Sequence, residues 1–525
     1  MTRQCVRTNR LVVTIGLLAI GMAGTVGMAG TASSSDTADA VGVVGAAGAP
    51  DTAGASSAAD ADVATRATCE PLALAPMLET LGAGRIETHV LTNGLRVVLA
   101  PRPGAQTVAV RVAYDVGSRD EPQALGGLAH FVEHLMFKGS AAVADGEHFR
   151  RVRDVGGRVN AFTDWDLTEY VDTFPAAALS RVLESEADRM RGLRLDAASL
   201  ETQRAAIQEE EALRVLNVPY AEAASTFLGQ IWKSTPYDHS PMGTDVERQA
   251  VRVADVEAFH AEHYAPDNAV VVLVGGFDPT AARTKIADAF GSIPGGDPRT
   301  QRPASELEAF DGLGERAPEH ASTVDPLAPF PVYGLIWPGV GATHPEAPAL
   351  AVLDELLLGH RDARLARVVR GPLAFEATSL SFALRDAGLL NFVIVPRTFA
   401  SFREIRRTVD EVLGALAETG PEADELCAAI RHEQIERLVA LETNEGLSAA
   451  LARGVLFEQD PRRFARELEA LAALSVEDVR KSAEQMQARS PSTLVIRPKG
   501  VMGWLKPLLE ILPDGVGASL ERSLL

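Results

Sequence analysis

The stretch Gly126-Gly127-Leu128-Ala129-His130-Phe131-Val132-Glu133-His134-Leu135-Met136-Phe137 decides how the rest of the chain reads. On a helix, His130 and His134 stand one turn apart and share a face, with Glu133 close beside them. Two neutral imidazoles so placed suit one zinc ion held from a single rigid element. A carboxylate beside them suits proton transfer from a water at that metal. The order H-x-x-E-H inverts the commoner H-E-x-x-H zinc motif. Such a trio also arises on solvated helix faces. Here, however, Leu128, Ala129, Phe131, Val132, Leu135, Met136 and Phe137 make nearly all of the surrounding surface apolar, so the helix is expected to be buried. A buried helix with two His and a Glu needs polar partners, and a metal supplies them.

Working outward, Arg85 to Ala100 reads as two strands about an Asn93-Gly94 turn, and Thr107 to Asp115 as a third. His148 to Val155 is helical, and Gly156 to Phe174 reads as a hairpin. Ala176 to Leu216 reads as one long helical region carrying Glu209-Glu210-Glu211, which on charge alone is a solvated face. Ala254 to His263 and Ala281 to Phe290 are helices flanking a buried strand, Ala269 to Gly275. A second unit begins at Val332 and repeats the order of strand, apolar helix, hairpin, long helices and final strand, which suggests a degenerate duplication. Its counterpart helix, Leu350 to Leu357, holds no His pair, so only the first copy is expected to bind metal.

At 525 residues, the chain exceeds one ordinary core. Arg3, Arg7 and Arg10 precede an apolar run from Leu11 to about Ala23, the pattern of a signal peptide, or of an anchor if it is not cleaved. The expected division is a signal peptide over 1–32, a disordered low-complexity segment over 33–80 and a zinc-bearing domain over 85–292. A linker over 293–330, a metal-free homologous domain over 331–499 and a tail over 500–525 follow. The fold class is α+β, each domain a mostly antiparallel sheet packed with helices. A net charge of -21 argues against a nucleic-acid partner. Cys69 and Cys427 could pair after export, but two cysteines make no disulfide framework.

The chain resembles the pitrilysin-type zinc peptidases, the insulinase and mitochondrial-processing-peptidase family with the inverted motif. The resemblance rests on Asn93 to Val98, Gly117-Ser118-Arg119-Asp120-Glu121, the His helix with its Leu135 to Gly139 ending, Asn160-Ala161-Phe162-Thr163 with Asp166, Thr168 and Tyr170, and Tyr264-Ala265-Pro266-Asp267-Asn268. It implies a half-clamshell of two homologous domains and a third zinc ligand, a Glu nine residues ahead of a Pro-Tyr. Pro219-Tyr220 selects Glu210. Residue 203, often a supporting Glu in the family, is Gln203 here, which affects tuning of the site. Three protein ligands leave a position for water, with Glu133 as general base. The resemblance also implies that Asn160 and Ala161 face a peptide added as a strand. It implies a homodimer or pairing with a metal-free homologue, because one half cannot enclose substrate. For the substrate-holding Arg, Arg385 is a candidate. The function expected is an exported Zn2+ endopeptidase acting on oligopeptides or unfolded segments, periplasmic or extracellular, touching a membrane only through an uncleaved anchor. The alternatives are a specific propeptide-processing peptidase and a non-catalytic peptide-binding subunit.

Overall fold

The computed structural model describes residues 72, 74–80, 85–296, 319–360, 362–397 and 401–500. The expected signal peptide and the tail beyond residue 500 lie outside them. The end of the segment expected to be disordered is a helix, Leu74–Thr80, where Leu74, Met77 and Leu78 interrupt the small-residue composition.

The first sheet contains β1 (Glu87–Val90), β2 (Arg96–Pro101), β3 (Thr107–Tyr114), β4 (Arg158–Thr163), β5 (Thr168–Pro175) and β6 (Ala269–Gly275). Its spatial order is β1-β2-β6-β3-β5-β4. The second contains β7 (His320–Asp325), β8 (Val332–Val340), β9 (Ala374–Ser379), β10 (Phe382–Ala383), β11 (Ala387–Pro396) and β12 (Ser492–Pro498). Here the order is β10-β11-β8-β12-β7, with β9 also on β11. In each sheet one pair is parallel, β2 with β6 and β7 with β12, and all other pairs are antiparallel. With β1 set aside, the two sheets share one strand order. The architecture is the expected α+β pair of domains. β7 falls within the stretch expected to be linker. Its HASTVD sequence is polar because it is an exposed edge strand, paired only with β12.

α1 (Leu128–Leu135) and α2 (Ala197–Glu211) pack on one face of the first sheet. The long helical region expected over 176–216 is broken before α2. Leu193 bridges to Ser140 and Arg194 N–H bonds Gly139 O at 2.9 Å, so the chain there pairs as a strand.

Two helices cross between the domains. α3 (Ala221–Ile231) belongs to the first half, yet its Phe227, Leu228 and Ile231 pack on Val332, Ile336 and Leu494 of the second sheet. That sheet's other face carries α4 (Ala347–Asp354), through Val352 and Leu353. Conversely, α5 (Asn444–Glu458) of the second half covers the free face of the first sheet, with Leu447, Leu451 and Val455 on Val98, Val270, Val272 and Val274. Helices on both faces explain why β6, AVVVLVG, is buried throughout rather than alternating. Ion pairs reinforce the exchange: Arg119 meets Asp166 at 2.6 Å and Asp386 at 2.5 Å, and Arg385 meets Asp115 at 2.9 Å.

Candidate metal centre

The start of α1 is held from two sides. Buried Glu121 accepts the N–H groups of Gly127 and Ala129, each at 2.8 Å, placing a carboxylate at the positive end of the helix. Gly127 has φ +88°, and a Cβ there would stand 2.7 Å from Met242 O, so glycine lets the following loop close over the helix start. Leu128, Phe131, Val132 and Leu135 are locked in the core. His130, Glu133 and His134 are buried as well, and one ligand atom from each lies within 4.8 Å of the others.

α2 faces them. It opens on Asp196, which accepts Ser199 N–H at 2.7 Å. Its Leu200, Gln203, Ile207 and Glu210 recur at three- and four-residue spacing and form one stripe. Leu200 and Ile207 enter the core. Gln203 Oε1 lies 3.3 Å from His134 Nδ1. Glu210 Oε2 lies 3.2 Å from His134 Nε2 and 3.6 Å from His130 Nε2. Glu209 is exposed, and Glu211 is ion-paired with the fully buried Arg248. Arg248 also donates to Met242 O at 2.9 Å and Gly243 O at 3.0 Å, bracing α2 against the loop that closes on Gly127. Of three consecutive carboxylates, Glu210 is the one turned to the imidazoles.

These residues fit a zinc ion. Ligand atoms bonded tetrahedrally at 2.0–2.1 Å stand about 3.3 Å apart, close to the separations from Glu210 to the two rings. Both ring nitrogens of His130, and Nε2 of His134, are buried without a hydrogen bond, a costly state that a cation relieves. Burial pushes the His130 imidazole down to about 3, keeping it a neutral donor. For His134, burial acts the same way, but the Glu210 carboxylate outweighs it and holds the ring above its ordinary value. Burial likewise pushes Glu210 upward, but the adjacent His134 ring, with His130 and Arg214, holds it below the usual carboxylate range. Glu133 is fully enclosed, and burial pushes its carboxyl up to about 7; Thr163 Oγ1 donates to its Oε2 at 2.6 Å.

Asn160 and Ala161 lie on β4, the outermost strand of the first sheet, beside α1. Asn160 Oδ1 accepts Ala161 N–H at 3.0 Å, and the Ala161 methyl points into the core. Arg385 is engaged elsewhere, on Asp115 and over Phe457 in the junction of the domains. The sequence reading passed over Arg214, one turn beyond Glu210, whose Nε lies 2.9 Å from Glu210 Oε1. The four-residue Glu-to-Arg spacing was its signal. A second buried group, His148, Asp172 and Glu186, could hold a cation by spacing. Arg189 already fills that role: its guanidinium pairs with Glu186 and stacks 4.1 Å from the Tyr170 ring centroid.

The sequence profile described as Insulinase (Peptidase family M16) matches residues 96–228, and that described as Peptidase M16 inactive domain matches residues 250–432. The chain belongs to the insulinase family of peptidases. An uncharacterized zinc protease of Streptomyces coelicolor is 26% identical over 431 residues, covering 79% of this chain and 90% of its own. Two solved protease structures share the fold. A protease from Helicobacter pylori superposes with TM-score 0.70 at 24% identity, covering 79% of this chain and all of its own. The first half of the periplasmic protease PqqL from Escherichia coli gives TM-score 0.63 at 18% identity over 84% of this chain and 96% of that one. His130, Glu133, His134 and Glu210 of this insulinase-family chain all lie in the first profile's span, and α4, in the second, carries no His pair.

Proposed function

We propose that this chain is an exported zinc-dependent endopeptidase in which His130, His134 and Glu210 hold the metal and Glu133 moves protons. One observation carries the reading: two imidazole Nε2 atoms without a hydrogen bond and one carboxylate from a second helix converge, with a further carboxylate within reach. When bound, zinc supplies a Lewis acid that polarises a peptide carbonyl and acidifies water. Glu133, poised near neutrality, accepts a proton from the attacking water and hands one to the leaving amine. Thr163 holds one Glu133 oxygen so that the carboxylate keeps one orientation. β4 offers an edge on which an extended peptide can pair, presenting the backbone of Asn160 and Ala161 to it; backbone pairing of this kind tolerates varied sequences.

The likeness to the first half of PqqL supports a partner half, either a second copy or a metal-free homologue. Export is supported by the N-terminal basic and apolar pattern. Among the described residues, no helix is long and apolar enough to cross a membrane. Completeness of the motif favours catalysis over a purely peptide-holding subunit. The test is zinc analysis of the purified protein with a peptide-library cleavage assay, repeated with chelator. Protein that carries no zinc and cuts nothing overturns the reading.

A further inference from the structure

We propose that Arg214 is a positioning residue that fixes which oxygen of Glu210 is presented to the metal; this rests on the reading of Glu210 as a ligand. A Glu side chain can offer either carboxylate oxygen, or both together. Here the two are assigned. Oε1 lies 2.9 Å from Arg214 Nε, and Oε2 is the atom 3.2 and 3.6 Å from the imidazole nitrogens. Oε1 is buried and makes no well-formed hydrogen bond, so the ion pair is the polar contact that restrains it.

The backbone around Arg214 carries the same message. Residues Ala212–Leu216 form a π-turn, closed by Asn217 N–H on Ala212 O at 2.8 Å, rather than a continuation of α2. Wide turns of this kind are frequent at functional sites. Just beyond it, Tyr220 adopts φ +72°, a strained value for a tyrosine. Its N–H bonds Asp325 Oδ2 at 2.6 Å and its hydroxyl donates to Phe330 O at 2.9 Å. The segment carrying Arg214 is thus fastened at one end to Glu210 and at the other to the second domain. Partners that hold a ligand's remaining atom typically govern metal affinity by about 10–100-fold. The Arg214 side chain is 28% exposed whereas Glu210 Oε1 is buried, so removing the arginine leaves that oxygen without its polar contact while Oε2 stays beside the imidazoles.

The test uses the full chain as R214Q, with R214M, which keeps the aliphatic stem, as a second variant. Zinc affinity is measured by chelator competition, and the visible spectrum is recorded after loading with Co2+. The expected result is zinc binding weakened about 10–100-fold and an altered Co2+ spectrum, in a chain that still melts in a cooperative transition. Variants with wild-type zinc affinity and spectrum overturn this inference alone. A wild-type chain that takes up neither ion overturns the ligand reading, and this inference with it.

Discussion

Thr163 Oγ1 donates to Glu133 Oε2 over 2.6 Å, tying the outermost strand of the first sheet to the carboxylate on the His helix. Both groups are buried, so the bond sets the direction of the carboxylate without competition from solvent. Glu133→Gln is expected to keep zinc and lower turnover by about 10²–10⁴-fold, the usual contribution of a positioned acid-base group. Thr163→Val keeps the shape and removes the donor. A hydrogen bond to a charged group is worth about 1.5–3 kcal/mol, so kcat is expected to fall about tenfold or more. Metal content and steady-state peptide hydrolysis check both variants; E133Q with wild-type turnover rules out the proton-transfer role.

Gln203 is the group behind His134 Nδ1, at 3.3 Å. An amide oxygen accepts the ring N–H but does not make the ring as basic as a carboxylate would. Gln203→Glu is therefore expected to tighten zinc binding, measurably in chelator competition. Unchanged or weaker binding would show that the amide is already the better partner in this enclosed position.

His239 couples the start of α1 to pH. Its Nε2 lies 2.9 Å from Ser118 O and 3.2 Å from Glu121 Oε2, and its Nδ1 lies 3.4 Å from Asp238. Partial burial opposes the charged ring, but Glu121, Asp238 and the carbonyl prevail and raise it to about 9. The unfolded value is about 6.5. A pKa raised on folding gives a contribution fully present below about pH 6.5 and lost as pH climbs through 9. His239→Asn should accordingly lower the melting temperature most near pH 6 or so, and hardly at all at about pH 10. A gap of equal size at both ends, in calorimetric scans, would separate the contribution from ring charge.

The His helix was legible in the sequence because its polar residues are few and its apolar ones nearly continuous, so burial and the need for a partner followed together. Glu210 was not legible from charge: Glu209, Glu210 and Glu211 look alike until the helix phase is known. Leu200 and Ile207 supply that phase, since their stripe runs through Gln203 to Glu210. Arg248 gave no local signal, because its partners Glu211 and Met242 meet it only after α2 and the loop are packed. The crossing helices were passed over for a related reason. Both carry Gly, Ala and Ser where a solvated helix would show a clean charged face, since they pack on the sheet of the other domain.

That exchange is expected to make the domains one cooperative unit. Leu451 is fully buried against the valines of β6, although it is contributed by the second half of the chain. Leu451→Ala removes this packing and leaves a cavity, a change that typically costs about 2–5 kcal/mol. α5 is continuous with the helical run of the second domain, and α3 clamps that domain's sheet from the first, so the loss cannot stay within one sheet. The expected outcome is a single calorimetric transition at lower temperature. Hydrogen-exchange protection should decrease together in β6 and β12, which lie in different sheets. Two separated transitions, or an unchanged β12 beside a weakened β6, would mean that the domains unfold independently and that the crossing helices act only as covers.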